Sequence, residues 1–377
     1  MRIALVHDYL KEYGGAESVF ETLSDIFPGA PIYTSLYCPS SFGPHRARLE
    51  KKWSHRIHQS FFQYLPFASK LLSPLRFLSP LAFRLFDFST FDLIITSATG
   101  AFFPNSLNKK SAELICYCHT PPRYLYGLAT ARDVSKYPLL NLPLQILLHF
   151  FRLLDFKYAQ NVDQFIANSA TTTARIQKFY RKDSIIINPP VDLPVLKVSL
   201  VKGRSGEAER DLNKRFYLTG GRLARAKRYD IAIQACNALH LPLKIFGRDF
   251  AGYESELKDI AGPTIEFLGE VTQAQKSELL SGAKAFIFCS DNEDFGIVPV
   301  EAMSYGCPVI GHNSGGTAET VIDGKTGVLF DDLTPKSCIS AIKKLDKLKI
   351  SSQDCISRAQ NFSKAKFVEK IKNQVLS

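Results

Sequence analysis

Glu293 and Glu301 bracket the stretch with the most chemistry in it: Ser290-Asp291-Asn292-Glu293-Asp294-Phe295-Gly296-Ile297-Val298-Pro299-Val300-Glu301-Ala302-Met303. It follows an apolar, strand-like run. Pro299 is a favoured first-turn residue, so a helix is expected to begin near it. The backbone N–H groups of Gly296, Ile297 and Val298 then point out of the helix start, where the peptide dipoles leave partial positive charge. Such a start suits an anion, a diphosphate in particular. Glu293 precedes it and Glu301 lies about one turn in. One carboxylate can accept hydrogen bonds from sugar hydroxyls and the other from a ribose. The Glu-x7-Glu spacing alone recurs in many helices; the Phe-Gly-x-x-x-x-Glu-Ala-Met context around it is far more specific.

Other residues fit the same anion. Arg222 and Lys227 stand in Gly220-Gly221-Arg222-Leu223-Ala224-Arg225-Ala226-Lys227, between a strand and a helix. Cations at a helix start oppose the dipole, so an anionic ligand explains them better than two solvated charges. Arg suits a bidentate phosphate contact and Lys a point charge. His119 follows a strand and precedes Pro121-Pro122. It reads either as a satisfied structural histidine or as a group at the reacting centre. Gly14-Gly15, after the first strand, is either a plain turn or a close approach of backbone to phosphate. No Asp-x-Asp occurs, and His55 and His58 share a helical face without a Cys or carboxylate partner, so no metal site is expected. Asp323-Gly324-Lys325-Thr326 lacks the upstream glycine of a phosphate loop and reads as a tight turn.

These residues need strands to carry them. Short β-runs alternate with helical stretches, which argues for an α/β chain with parallel sheets. Strands are expected at Ile3–Val6, Leu93–Thr96, Leu114–Tyr117, Phe165–Ala167 and Ile185–Ile187. A second set is expected at Phe216–Leu218, Leu243–Phe246, Ile265–Leu268, Ala285–Phe288 and Pro308–Ile310. Between the sets, Pro189-Pro190 makes a stiff connector. The expected architecture is two Rossmann-like domains, residues 1–190 and 191–360, facing each other across a cleft that holds the ligand. A C-terminal helix at about 361–377 is expected to return to the first domain. Lys202–Lys214 reads as a charged surface loop.

The 377 residues suffice for two cores, and 45% hydrophobic content excludes a disordered chain. Of the net charge of +11, residues 1–190 carry +8 (21 Lys+Arg against 13 Asp+Glu). That bias fits an anionic substrate or lipid surface, or a surface kept basic for solubility. The eight scattered cysteines include no Cys-x-x-Cys and read as buried thiols of a reducing cytosol. The N-terminus has no signal-peptide shape. The apolar run Leu139–Phe156, interrupted by Pro143, His149 and Arg152, falls short of a membrane span. Residues 55–90 interleave Phe and Leu with Lys70, Arg76 and Arg84, and Ser73-Pro74 and Ser79-Pro80 are expected to break them into short helices. They suit either an anionic membrane surface or packing on their own domain.

Several of these motifs together resemble the retaining glycosyltransferases of family 4, which have the GT-B fold. The Glu293–Glu301 segment is similar to that family's donor signature. Gly221-Arg222-Leu223 with Lys227 is similar to its diphosphate clamp, and His7-Asp8-Tyr9 with Gly14, Gly15 and Glu17 to its glycine loop. Tyr117-Cys118-His119-Thr120-Pro121 resembles its His-bearing loop, and Asn168-Ser169 with Pro189-Pro190-Val191-Asp192 its interdomain region. The likeness spans nearly the whole chain. It leans toward mannosyltransferases of surface-polysaccharide assembly.

The resemblance implies His119 and Glu293 as catalytic residues beside the transferred sugar. It implies Arg222, Lys227, Gly296, Ile297, Val298 and Gly15 on the donor diphosphate, Glu301 on the ribose, and Gly14, Phe295 and Arg248 as further donor contacts. No metal or other cofactor is implied: fixed cations and the helix start would carry the charge on the departing diphosphate. The partners implied are a nucleotide-sugar donor, GDP-mannose ahead of a UDP-sugar, and a lipid-linked or oligosaccharide acceptor. No nucleic acid is expected. The place implied is the cytoplasm, with peripheral contact on an anionic membrane. Gly247-Arg248-Asp249-Phe250 departs from the family's Gly-x-Gly-Pro, and Gly311-His312-Asn313-Ser314 is also unusual. A sugar-nucleotide epimerase of the same fold and a non-catalytic anion-binding protein are the competing readings.

Overall fold

The structure, a computed structural model, describes residues 1–128, 138–194 and 216–376. Its contacts form two compact units. The first is Met1–Leu128 and Arg132–Pro190 with Phe367–Ser377; the second is dominated by Val191–Lys366. The expected loop Lys202–Lys214 lies outside the described residues.

The first unit is a seven-stranded parallel sheet in the order β3-β2-β1-β4-β5-β6-β7. Its strands are β1 (Ile3–His7), β2 (Ile32–Thr34), β3 (Ile57–Gln59), β4 (Leu93–Ala98), β5 (Glu113–Cys118), β6 (Gln164–Ala167) and β7 (Ser184–Ile186). Helices α1 (Gly15–Ile26), α2 (Arg46–Trp53), α3 (Leu72–Arg84), α4 (Pro138–Gln160) and α5 (Ala170–Tyr180) lie between them. β4, Leu-Ile-Ile-Thr-Ser-Ala, is buried along its length, as a strand covered on both faces must be. Val6, Ile94 and Cys116 point into one core layer, and Leu5, Ile95 and Tyr117 into the other. The last helix of the chain, α13 (Lys364–Leu376), adds Phe367, Ile371 and Val375 to that second layer.

The second unit repeats the plan with β8 (Tyr217–Gly220), β9 (Leu243–Phe246), β10 (Ile265–Gly269), β11 (Ala285–Phe288), β12 (Val309–His312) and β13 (Gly327–Phe330). All pair in parallel, in the order β10-β9-β8-β11-β12-β13. Its helices are α6 (Tyr229–Ala238), α7 (Tyr253–Asp259), α8 (Gln273–Gly282), α9 (Ile297–Ser304), α10 (Gly315–Thr320), α11 (Pro335–Lys347) and α12 (Ser352–Gln360). This is the doubly wound order, whose switch point lies between β8 and β11; in the first sheet it lies between β1 and β4.

Three strands escape the sequence reading. They are β2 and β3, with three residues each, and β13, with four. Residues 55–90 also differ from the expectation of broken short helices: β3 is followed by a helix that runs unbroken through Pro80. Proline removes the N–H that would bond the carbonyl of Arg76. The Ser79 hydroxyl supplies the missing donor, lying 2.8 Å from that carbonyl, so the helix passes through.

Candidate active site

In the second unit the switch point gathers the connections that leave β8 and β11. The β11 connection is tied to the β8 connection, with Asp291 N–H donating to the Ala226 carbonyl. Lys227 Nζ meets the Glu293 carboxylate in a short ion pair, and Ser290 Oγ donates to the same carboxylate oxygen at 2.6 Å. The two side chains keep 26% and 17% of their surface exposed, so solvent or a ligand still reaches the pair.

Helix α9 starts beside them, and it starts earlier than expected. Its first residue is Ile297, with Gly296 as N-cap at φ +85°, and Pro299 is the third position rather than the first. Proline fits there because the first four helical N–H groups have no intrahelical acceptor to lose. No side chain caps the start. The N–H groups of Gly296, Ile297 and Val298 find no acceptor among the described residues. A lysine from the β8 connection thus meets a carboxylate and an open helix start from the β11 connection. The Phe295 ring is buried and packs edge-on against Phe362, which anchors the loop.

Glu301, one turn into α9, is held by Lys276 of α8 in an ion pair as shielded as the first. Lys276 belongs to no motif, and its spacing does not mark it. Arg222 leaves β8 in the same connection as Lys227, with its guanidinium over the Phe250 ring at 5.5 Å. Arg248 is turned to Glu270, 3.6 Å away, with both side chains mostly exposed. Gly315 and Gly316, unassigned from sequence, let α10 press on the site loop. A Cβ at Gly315 would lie 2.3 Å from the Glu293 carbonyl oxygen, and one at Gly316 2.2 Å from Phe295 Cα. Gly316 N–H donates to that same Glu293 carbonyl.

The first unit holds the other candidates, at the carboxyl ends of β1 and β5. His119 follows β5 and is nearly buried. Its Nε2 lies 2.9 Å from Ser97 Oγ in β4, and its backbone carbonyl accepts from Asn168 Nδ2 and Thr172 Oγ1. Burial pushes its pKa down to about 3; the neighbouring His7 adds to that and Glu17 opposes it. His119 is therefore a neutral imidazole at any physiological pH. Gly15 opens α1 as its first residue and Gly14 is the N-cap, with Gly14 N–H donating to Glu17 Oε2 at 2.9 Å. Asp8 fixes the neighbouring loop: its Oδ2 accepts from the N–H groups of Thr99, Ala101 and Phe102 and from Thr99 Oγ1. Burial outweighs those bonds and raises its pKa. Among the described residues no group of three or more His, Cys, Asp or Glu is placed to hold a metal ion. All eight cysteines are free.

Parallel doubly wound sheets with an anion-ready helix start at a switch point define a class. Residues 13–194 match the family described as Glycosyltransferase Family 4, and residues 205–362 the one described as Glycosyl transferases group 1. The chain belongs to glycosyltransferase family 4 and has the GT-B fold.

Among curated proteins it is 27% identical over 282 residues to alpha-1,3/1,6-mannosyltransferase alg2 of Schizosaccharomyces pombe, a match covering 64% of this chain and 53% of that one. It is 28% identical over 269 residues to ALG2 of Homo sapiens, covering 64% and 61%. The chain thus spans between half and two thirds of the length of these relatives. Two solved structures align over its full length. One is Anabaena HepE in complex with UDP and glucose (TM-score 0.66, 19% identity, 100% of both chains). The other is the lipopolysaccharide outer core galactosyltransferase WaaB (TM-score 0.67, 16% identity, 99% of that chain). At such identities the likeness is one of fold.

Proposed function

We propose that this protein transfers mannose from GDP-mannose to a lipid-linked or oligosaccharide acceptor, with retention of anomeric configuration and without a metal. The observation that carries the reading is the Lys227–Glu293 pair beside the unoccupied N–H groups of Gly296–Val298. The N–H groups and Lys227 suit the diphosphate, joined by Arg222 from the same connection. As the sugar departs, negative charge grows on the diphosphate, and fixed donors stabilise it without having to reorganise. Glu293 then faces the sugar hydroxyls and Glu301 the ribose, with Lys276 orienting Glu301 meanwhile. His119, neutral and buried, serves the transferred sugar as a hydrogen-bonding group. The relatives named as mannosyltransferases support mannose over other hexoses.

The reading includes a lipid surface on the first unit, which supports a peripheral place on the inner face of the cell membrane. Helix α3 and its C-cap leave Leu78, Leu81 and Leu85 exposed, and α4 leaves Ile146, Phe150 and Leu153 exposed; each set is spaced to share one helix face. The helices touch through Phe77 and Phe151, with ring centroids 4.7 Å apart. Residues 60–86 and 143–160 contain five Lys and Arg and a single acid, the buried Asp155. Apolar side chains amid unopposed positive charge suit an anionic bilayer. No helix among the described residues is long and apolar enough to cross one.

The test is a thermal-shift and transfer screen of GDP-mannose against UDP- and ADP-sugars, with chelator and with added Mg²⁺, because a donor stabilises only the state that binds it. GDP-mannose is expected to give the largest shift in chelator and a product with the donor's anomeric configuration. Stabilisation by UDP-sugars alone overturns the mannose reading. A strict Mg²⁺ requirement overturns metal independence, and an isomerised sugar formed from donor alone favours the epimerase.

A further inference from the structure

A buried chain of polar groups runs through the first unit. His7 ends β1, Ser97 stands opposite it in β4, and His119 follows β5. Ser97 Oγ lies 3.0 Å from His7 Nδ1 and 2.9 Å from His119 Nε2. The other nitrogen of His7, Nε2, is fully buried without a hydrogen bond and lies 3.7 Å from Glu17 Oε1. The second oxygen of Glu17 is occupied by Gly14 N–H. His119 Nδ1 takes no hydrogen bond from the described residues and is not among the buried unpartnered atoms, so it is the edge of the chain that a ligand can reach.

A hydroxyl has one proton, so Ser97 donates to one imidazole and accepts from the other. With both rings neutral, only two arrangements are consistent. In the first, His7 is protonated on Nδ1 and donates to Ser97, Ser97 donates to His119 Nε2, and His119 shows N–H at Nδ1. In the second, every proton is reversed: His119 Nε2–H donates to Ser97, Ser97 donates to His7 Nδ1, and His7 carries its proton on Nε2, toward Glu17. A carboxylate has lone pairs only, so it attracts an Nε2–H and repels a bare Nε2.

We propose that Glu17 and His7, acting through Ser97, are positioning residues that hold His119 as the Nε2–H tautomer, with the Nδ1 lone pair turned outward to accept a hydrogen bond from a substrate hydroxyl. The outward hydroxyl rests on the proposed transfer reaction. The tautomer does not, so the two fail separately.

The test is ¹⁵N NMR of the full chain with labelled histidine, without ligand and at alkaline pH, where the imidazoles are neutral. In the unsubstituted protein, His7 and His119 are both expected to show the pyrrole-type signal at Nε2. Glu17→Gln keeps an oxygen for Gly14 N–H and so turns its amide NH₂ toward His7. Both rings are then expected to move their proton to Nδ1. With Ser97→Ala added, Glu17→Gln is expected to move His7 alone. Activity adds a second readout: Glu17→Gln is expected to lower kcat while leaving the donor KM in place. A proton on Nδ1 of His119 before any substitution overturns the proposal. So does a Glu17→Gln protein in which His7 switches and His119 does not. If Glu17→Gln fails to fold, the unsubstituted tautomers still decide, because Nδ1–H at either ring contradicts the relay.

Discussion

Lys227 and Glu293 form one ion pair, yet their substitutions should have opposite effects on a nucleoside diphosphate. On the proposed assignment Lys227→Ala removes a charge-assisted hydrogen bond to phosphate, worth about 1.5–3 kcal/mol, so the dissociation constant of GDP should rise about 10- to 150-fold. The fold should barely register the change. The pair is partly exposed, which limits its worth to about 1 kcal/mol or less, and Glu293 keeps the Ser290 hydroxyl at 2.6 Å. Glu293→Ala instead releases Lys227 from its competing carboxylate and removes a negative charge from beside the site. GDP binding should hold or tighten by up to about 1 kcal/mol, roughly fivefold, while sugar transfer is lost. Calorimetric titration of GDP at low and high salt measures both variants, and the Lys227→Ala curve should also lose part of its salt dependence. Equal weakening in the two variants, or wild-type affinity in Lys227→Ala, would refute the assignment of phosphate to lysine and sugar to glutamate.

Asp155 makes a pH prediction. It is buried on α4, accepts from Tyr126 Oη at 2.8 Å, and burial pushes its pKa up to about 7. The folded chain therefore holds this proton more tightly than the unfolded chain. The resulting stability is complete below about pH 4 and is lost as pH rises through about 7, a change on the order of 4 kcal/mol. Asp155→Asn keeps an acceptor for Tyr126 and should remove that slope in denaturant unfolding; identical pH slopes would sink the reasoning. On the lipid face, Leu81→Ser, Leu85→Ser and Phe150→Ser combined should weaken co-sedimentation with anionic vesicles by about 3 kcal/mol, roughly a hundredfold. Unchanged binding, or equal binding to neutral vesicles, would remove the membrane from the reading.

Much of the second unit is legible in the sequence because its site is locally written. Lys227 lies within one connection after β8, and Glu293, Gly296 and Glu301 within one connection and helix after β11. A short-range pattern of Gly, Arg, Lys and Glu is enough to find them. Pro299 marks the first turn of α9 without fixing its first residue, because proline fits any of the first positions, and the structure alone shows which it takes. Phe295 sits inside the motif, and only the structure shows that its ring packs on Phe362. The continuous α3 could not be foreseen, since Ser79's repair of the Pro80 break depends on a rotamer rather than a residue type.

The sequence by itself determined the alternation of strands and helices, the membership of a family and the residue types proposed to meet phosphate. These follow from neighbours in the chain, whose geometry one strand and one helix settle. Only the tertiary structure decided the partners: Lys227 for Glu293, Lys276 for Glu301, and the line from Glu17 through His7 and Ser97 to His119. His7 and Ser97 are separated by 90 residues and meet because β1 pairs with β4 in one register. Which buried proton faces which lone pair is fixed by that register, and no spacing along the chain records it.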